Sequence, residues 1–460
     1  MFESCGVFGV FSQKLDVARL TFFALFALQH RGQESAGIAI YDGTRIKIHA
    51  KPGLVSQVFT EQELSQLDGF VSIGHALNST KGTSPLNAVQ PVIVENSDSF
   101  LAISHNGNIT NVGTLREILK EQGYAFRTST DSEVIAKLIM ASSGHSIQEK
   151  IGSAMNRLQG AYSLTMLTPD KLIAVRDPLG VRPLCIGSIE GGYAIASESC
   201  ALDHIGARFL REIRPGEIVV IDKSGMNSYQ HGSRRRALCI FEFVYFARPD
   251  SYIDGRLVYQ ARESMGRLLA EEHPVDADLV IGVPDSATAA GIGYSKASGI
   301  PYCEGLVKNR YVGRTFIMPD QRLRNLGVRL KFNPLSDIIG GKRLVVVDDS
   351  IVRGTTTPQV VALLRKAGAS EIHLRICCPP ISHPCFLGVD MATEQELIAA
   401  RKSVLEIRDH VGADSLGYLS LDGLLKAVNL PRDTFCLACF NNDYPIPVQR
   451  GIPKLVLEQV

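Results

Sequence analysis

The 460-residue sequence contains no tryptophan, no G-x-x-x-x-G-K-S/T segment and almost no net charge. The absent tryptophan excludes little, but the absent phosphate-loop motif removes the ATPases that depend on it. Gly291-Ile-Gly293-Tyr-Ser-Lys296 lacks the third small residue of the dinucleotide fingerprint, so a Rossmann dinucleotide site loses its motif as well. Lys plus Arg total 48 against 47 for Asp plus Glu, a formal charge of +1, which gives no electrostatic reason to expect a nucleic-acid or anionic-membrane partner. Long apolar runs are missing too: Leu20–Leu28 falls well short of the ~20 residues that span a bilayer. Met1-Phe-Glu-Ser-Cys5 has neither the basic nor the apolar region of a secretory signal, so the expected location is the cytoplasm.

What is present is ordinary globular composition, with 45% hydrophobic and 21% charged residues, in a chain long enough for two or three domains of ~100–200 residues. Ten cysteines in a reducing compartment do not suggest a disulfide framework, and each must be core filler, nucleophile or metal ligand. In the first half, Cys5–Phe11, Ala36–Tyr41 and Gly160–Leu167 have strand patterns, while Val17–Gln29 and Asp131–Met140 have helical spacing. This is the pattern of a layered α+β domain. Beyond a basic stretch ending at Arg236 the pattern changes to buried strands, Leu279–Val283, Arg343–Val347 and Glu371–Ile376, separated by helices, which predicts a parallel α/β sheet. The expected boundary is near residue 235, giving domains 1–235 and 236–460.

The segment Val345-Val-Val-Asp348-Asp349-Ser350-Ile-Val-Arg353-Gly354-Thr355-Thr356-Thr357 carries the most information. It places two carboxylates at a strand end, where ligands bind in open parallel sheets, and then a small-residue loop whose amides and hydroxyls suit a phosphate. Adjacent carboxylates suit a sugar diol or a hard divalent cation, so a phosphorylated sugar is the expected ligand. The pattern resembles the phosphoribosyl-diphosphate (PRPP) loop of type I phosphoribosyltransferases. Gly282-Val-Pro-Asp-Ser286 looks like that family's diphosphate turn, and Lys308, Arg310 and Arg314 in Lys308–Phe316 suggest a cationic lid. Ser286, Asp348 and Asp349 match the positions that hold Mg²⁺ in that resemblance.

Cys5-Gly-Val-Phe-Gly near the N-terminus, Leu28-Gln-His-Arg31-Gly, His105-Asn106-Gly107-Asn108 and Thr130-Asp131-Ser-Glu133 belong together. Alone, Cys5 reads as a small hydrophobe in a buried strand. Freed by removal of residues 1–4, its α-amine (pKa ~7.7–8.0) can accept the thiol proton, and Asn106 with the Gly107 backbone can hold an oxyanion. These motifs resemble the N-terminal-nucleophile glutamine amidotransferases. Followed by the PRPP loop, they make the chain similar to the amidophosphoribosyltransferase family over nearly its whole length.

The resemblance implies an N-terminal-nucleophile sandwich joined to a type I phosphoribosyltransferase domain, converting PRPP, glutamine and water to 5-phosphoribosylamine, diphosphate and glutamate. It implies Cys5 as nucleophile, Asn106 and Gly107 as oxyanion hole, and Asp131 as partner of the glutamine amine. A homotetramer under purine-nucleotide feedback is also implied. The chain departs from the family at His75-Ala-Leu77-Asn78, where an Arg that holds the glutamine carboxylate and a neighbouring Tyr are expected. Arg31 and Lys81 are the candidate replacements. Two alternatives follow: an ammonia-dependent synthase with impaired glutaminase, and a PRPP-sensing regulator without turnover.

Cys436-Leu-Ala-Cys439 alone could hold zinc, an iron–sulfur cluster or nothing. By resemblance, Cys239, Cys385, Cys436 and Cys439 match the four ligands of the 4Fe–4S cluster found in one branch of the family, and Cys₄ is the set such a cluster needs. Cys185, Cys200, Cys303, Cys377 and Cys378 read as core residues.

Overall fold

The structure is a computed structural model that describes residues 5–78, 89–95, 99–232, 235–309, 331–389, 391 and 393–448. Its first half is built from two antiparallel sheets stacked face to face. One runs, in spatial order, Arg208–Glu212, Cys185–Ile189, Gly192–Ala196, Gly6–Ser12, Val71–Leu77, Ser35–Tyr41 and Ile46–Pro52. The other runs Gly225–Gln230, Glu217–Asp222, Lys171–Arg176, Gly160–Thr168, Phe100–Ile109 and Val92–Glu95.

Strand alternation explains the layering. In Gly6–Ser12, Val7 and Phe11 face the second sheet, sharing one core with Ala102 and Leu167 of that sheet and with Ile73 and Ile195 of their own. Phe8 and Val10 point the other way, to Ala24 and Leu25 of the Val17–Ala27 helix and Leu28 at its C-cap. Helices Val112–Glu121, Asp131–Ala141 and Ile147–Met155 cover the outer face of the second sheet through Ile135, Leu138 and Ile151. The central strands are thus buried on both sides, and the expected α+β layered domain is a four-layer sandwich.

The Val17 helix opens on Asp16, whose carboxylate accepts the Arg19 amide at 3.0 Å, and it ends at Ala27 rather than Gln29. The chain must turn there, with the Arg31 amide donating to the Leu28 carbonyl at 2.9 Å. Gly32 then passes so close to the neighbouring strand that a Cβ would lie 2.2 Å from the Ala76 carbonyl carbon. This turn brings His30 and Arg31 to the boundary between the two halves.

The second half holds a parallel sheet ordered Leu279–Gly282, Arg343–Asp348, Glu371–Ile376 and Ser415–Tyr418. Leu344, Val345, Val346 and Val347 are fully buried, each contributing roughly 1.5–3 kcal/mol of apolar burial. A strand apolar on both faces needs helices on both sides, and Val258–Glu272, Thr288–Ser298 and Thr357–Lys366 pack in the same core. The Pro284–Ser286 turn and the Asp348–Thr356 loop therefore both emerge at the carboxyl ends of the sheet's strands.

Candidate functional sites

Beyond those strand ends lies a cavity of about 420 Å³. Asp348, Asp349, Ser350, Arg353, Gly354, Thr355 and Thr356 line one side, and Asp285, Ser286 and Lys308 another. The Asp349 amide donates to Asp348 Oδ1 at 2.9 Å, and Ser350 Oγ donates to Asp349 Oδ2 at 2.5 Å. Burial and the charge of Asp349 push the Asp348 carboxyl well above the usual carboxylate range. The helix Thr357–Lys366 starts at this cavity, and Thr355, Thr356 and Thr357 line it. Arg353 is tied to Glu396, its Nε 2.9 Å from Oε2, so its position is set by a segment more than forty residues downstream. Lys308 Nζ lies 2.7 Å from Asp285 Oδ2. Arg310 and Arg314 lie outside the described residues.

The thiol site is assembled from three strands. Cys5 Sγ donates to the Asn78 carbonyl at 3.7 Å. Burial pushes the thiol up to about 11, the charges of Asp131 and Glu34 add to this, and the Asn78 bond works against it. Asn106 is completely buried, yet neither atom of its amide has a hydrogen-bond partner among the described residues. A buried amide without partners costs roughly 1–3 kcal/mol per group, and a ligand oxygen would satisfy it. Gly107 follows at a partly exposed position. Asp131 starts its helix beside this strand, with Oδ1 3.3 Å from His105 Nδ1 and Oδ2 accepting the Ile109 amide at 3.4 Å. His75 Nε2 sits 3.0 Å from the His105 carbonyl, and burial drops its pKa to about 4, so the ring is neutral.

Leu77 is 5% exposed and belongs to none of the described apolar clusters. Strand alternation puts it on the same face as His75, toward the strand that carries Asn106. Asn78 holds the turn beside it, donating from Nδ2 to the Arg31 carbonyl at 2.9 Å and accepting the Gln33 amide at 3.3 Å.

Arg31, expected as a substrate partner, is placed in a buried ion-pair network. Its guanidinium is fully buried, with Nε on Glu198 and Nη2 on Glu242. Glu242 also meets Arg182 Nη1 at 3.3 Å, and Arg182 Nη2 donates to the Leu387 carbonyl at 3.1 Å. Glu198 further accepts His30 at 2.6 Å, Ser251 Oγ at 2.6 Å and the Arg248 amide at 2.8 Å. Burial alone would raise the Glu198 carboxyl, but Arg31 and His30 hold it well below the usual range. The charge of Arg31 is compensated by these two carboxylates, and its Nη1 has no hydrogen-bond partner among the described residues. Lys81 lies outside the described residues. Sequence reasoning missed Glu198, Glu242 and Arg182 because their partners are 50 to 211 residues away and no local pattern marks them. It also missed His30, which lines the phosphate cavity from the first half of the chain.

The four cysteines gather at a third place. Cys239 and Cys436 are direct partners in a two-stranded parallel pair, and the amides of Ser382 and His383 both donate to the Cys439 carbonyl at 3.1 Å. Burial raises the thiols of Cys239 and Cys436 to about 12, and Cys385 acts electrostatically on both. The described residues contain no group of three or more His, Cys, Asp or Glu side chains spaced to share a single metal ion. Cys185, Cys200, Cys377 and Cys378 are buried, and Cys303 is half-buried.

The glutamine amidotransferase domain family matches residues 79–204. Over its full length the chain is 49% identical to the amidophosphoribosyltransferase of Synechococcus elongatus, covering 95% of that protein. It is 49% identical to the Methanocaldococcus jannaschii amidophosphoribosyltransferase, over 96% of this chain and 98% of that one, and 46% identical to the Bacillus subtilis one, over 97% and 95%. A solved structure described as the allosteric regulatory enzyme of purine biosynthesis superposes with a TM-score of 0.93 at 45% identity, covering 99% of both chains. The glutamine PRPP amidotransferase of B. subtilis, complexed with ADP and GMP, superposes with a TM-score of 0.92 at 45% identity, covering 98% of this chain and 100% of that one. The two-domain fold is accordingly an N-terminal-nucleophile sandwich followed by a type I phosphoribosyltransferase. With a thiol site, a phosphate-loop cavity and this similarity along its whole length, the chain belongs to the amidophosphoribosyltransferase family of purine biosynthesis enzymes.

Proposed function

We propose that the chain forms 5-phosphoribosylamine by hydrolysing glutamine at Cys5 and adding the released ammonia to PRPP at the Asp348–Thr356 loop. The observation that carries this reading is the shared cavity wall, because His30 of the amidotransferase half lines the phosphate cavity one residue from the turn that Asn78 anchors beside the thiol. Residues 1–4 are read as a propeptide whose removal frees the Cys5 amine. A thiol at about 11 needs that base. Cys5 Sγ attacks the carboxamide carbon while Asn106 Nδ2 and the Gly107 amide hold the oxyanion. Collapse expels ammonia and leaves a thioester, which water cleaves to glutamate.

In the second site, Asp348 and Asp349 accept the ribose hydroxyls, and Ser350, Arg353, Gly354, Thr355 and Thr356 hold the phosphate through amides, hydroxyls and charge. Ammonia attacks the anomeric carbon as diphosphate leaves, with Lys308 beside the diphosphate turn. The adjacent carboxylates and the Ser286 hydroxyl fit a hard divalent ion. They would hold Mg²⁺, which supplies charge neutralisation for the leaving diphosphate. The comparisons favour neither the ammonia-only alternative nor the regulator.

The four converging cysteines fit a 4Fe–4S cluster. Cys239, Cys385, Cys436 and Cys439 would hold it, one thiolate to each iron, the Cys₄ set that such a cluster requires. Arg182 lies near Cys239 and Cys385, where its charge favours thiolates. The cluster would be a structural tie, since Cys239, Cys385 and Cys436 pack on a small apolar cluster containing Ala161, Leu179, Val181, Leu387 and Ile446.

The domain boundary is read near residue 235, with cluster and tail assigned to the second domain. Nucleotide feedback is supported by the ADP and GMP in the B. subtilis relative. A cytoplasmic homotetramer with no nucleic-acid or membrane partner completes the reading; no helix among the described residues is long and apolar enough to cross a membrane. The test is diphosphate release from PRPP with glutamine or ammonia. Release with both supports the two-site reading, release with ammonia alone removes the glutaminase half, and no release removes the enzyme assignment.

A further inference from the structure

Gly107 sits in the strand Phe100–Ile109, paired with Tyr162. On that side the fit is tight, because a Cβ on Gly107 would lie 2.0 Å from the Ala161 carbonyl oxygen. On another side lies a residue 281 positions away: a Cβ on Gly388 would be 3.1 Å from the Gly107 carbonyl carbon and 3.2 Å from its Cα. Gly388 has φ of +103°, a conformation open to glycine and strained for other residues. The Gly107 peptide is thus clamped between its own sheet and a loop of the other domain.

Two hydrogen bonds fasten that loop. Asn108 Nδ2 donates to the Phe386 carbonyl at 2.9 Å, and Arg182 Nη2 donates to the Leu387 carbonyl at 3.1 Å. Consecutive carbonyls of one short loop are therefore both held by side chains of the amidotransferase half. Arg182 cannot drift, since Nη1 is engaged with the buried Glu242, and Asn108 immediately follows the oxyanion residues.

We propose that the Phe386–Gly388 loop is a positioning element for the oxyanion hole: by clamping the Gly107 peptide, the phosphoribosyltransferase domain sets the catalytic competence of Cys5's site. Asn108 and Gly388 act as positioning residues, touching no substrate. The proposal rests on the Cys5, Asn106 and Gly107 assignment above. Oxyanion stabilisation acts in the transition state, so a loosened clamp lowers kcat and leaves ground-state glutamine binding in place. A displacement of the order of 1 Å in such a site costs about 10²-fold.

The experiment compares Asn108→Ala, Asn108→Asp and Gly388→Ala with the parent. Four readouts are taken: glutamine-dependent kcat and KM, ammonia-dependent synthesis, the rate of Cys5 alkylation by iodoacetamide, and amide hydrogen exchange over 103–109. The expected result is a fall of about 10²-fold in glutamine kcat with KM within a factor of about two. Ammonia-dependent synthesis and alkylation stay unchanged, exchange over 103–109 quickens, and Asn108→Asp is at least as damaging as Asn108→Ala because it turns a donor into a charge facing a carbonyl. Gly388→Ala carries backbone strain, so the Asn108 pair keeps the test decisive if that variant does not fold. Folded variants with glutamine kcat within a factor of about two of the parent would overturn the proposal, as would parallel loss of glutamine and ammonia activities. A parent that uses ammonia but releases no glutamate would remove the amidotransferase reading of Cys5. Hydrogen exchange then decides the clamp by itself, faster exchange supporting it and unchanged exchange overturning it.

Discussion

Leu77→Arg is expected to improve glutamine use without touching the PRPP site. In the native chain the carboxylates that act on Cys5 are Asp131 and Glu34, while Arg182, the cation in range, is engaged with Glu242 and the Leu387 carbonyl. Arg31 is spent on Glu198 and Glu242. An incoming amino acid therefore finds a partner for its amine and, among the described residues, no uncommitted cation in range for its carboxylate. Charge-assisted hydrogen bonds are worth about 1.5–3 kcal/mol, roughly 10- to 150-fold in affinity. Leu77 faces the strand of Asn106, so a guanidinium there points toward the site, in the place of a buried apolar side chain. Glutamine and ammonia saturation curves of parent and variant provide the assay. Glutamine KM should fall by an amount within that range and ammonia kinetics should not move. A native glutamine KM below about 1 mM, unimproved by the substitution, would refute the reasoning, since another residue must then already hold that carboxylate.

Asp348→Asn combined with Asp349→Asn should abolish synthesis from either nitrogen donor while leaving the buried strand folded; near-normal diphosphate release from a folded double variant would remove the sugar-binding role. Anaerobically purified protein should be brown and contain iron and sulfide, and Cys385→Ser should lose both, whereas stoichiometric zinc without iron would overturn the cluster assignment. Glu242→Gln strips one carboxylate from two fully buried guanidinium groups and should cost about 3–5 kcal/mol, read from denaturant midpoints, with an unchanged midpoint counting against the network. His75 is depressed from the usual 6.5 to about 4, so the unfolded chain binds the extra proton between those values. Stability from this residue is intact above pH 6.5 and is lost as pH falls toward 4, by up to about 3 kcal/mol, and His75→Gln should flatten that part of the pH–stability curve.

The local sequence by itself determined the strands, because period-two runs such as Val7–Phe11 and continuous apolar runs such as Leu344–Val347 have few other ways to bury their side chains. It also determined the phosphate loop, where the carboxylates, glycine and threonines that make the chemistry are consecutive. Cys5, Asn106 and Asp131 were legible as motifs, but bringing Asp131 within electrostatic range of Cys5 needed two sheets to stack. The fate of Arg31 could be decided only in three dimensions: a guanidinium in a turn looks free for a substrate until Glu198 and Glu242, 167 and 211 residues away, are brought to it in a site too dry to leave charges unpaired. The same is true of Gly388 against Gly107, since close backbone contact leaves no trace in residue spacing. Local pattern specifies elements because backbone periodicity is local; ion-pair partners and close contacts depend on which surfaces meet, and only the packed chain decides that.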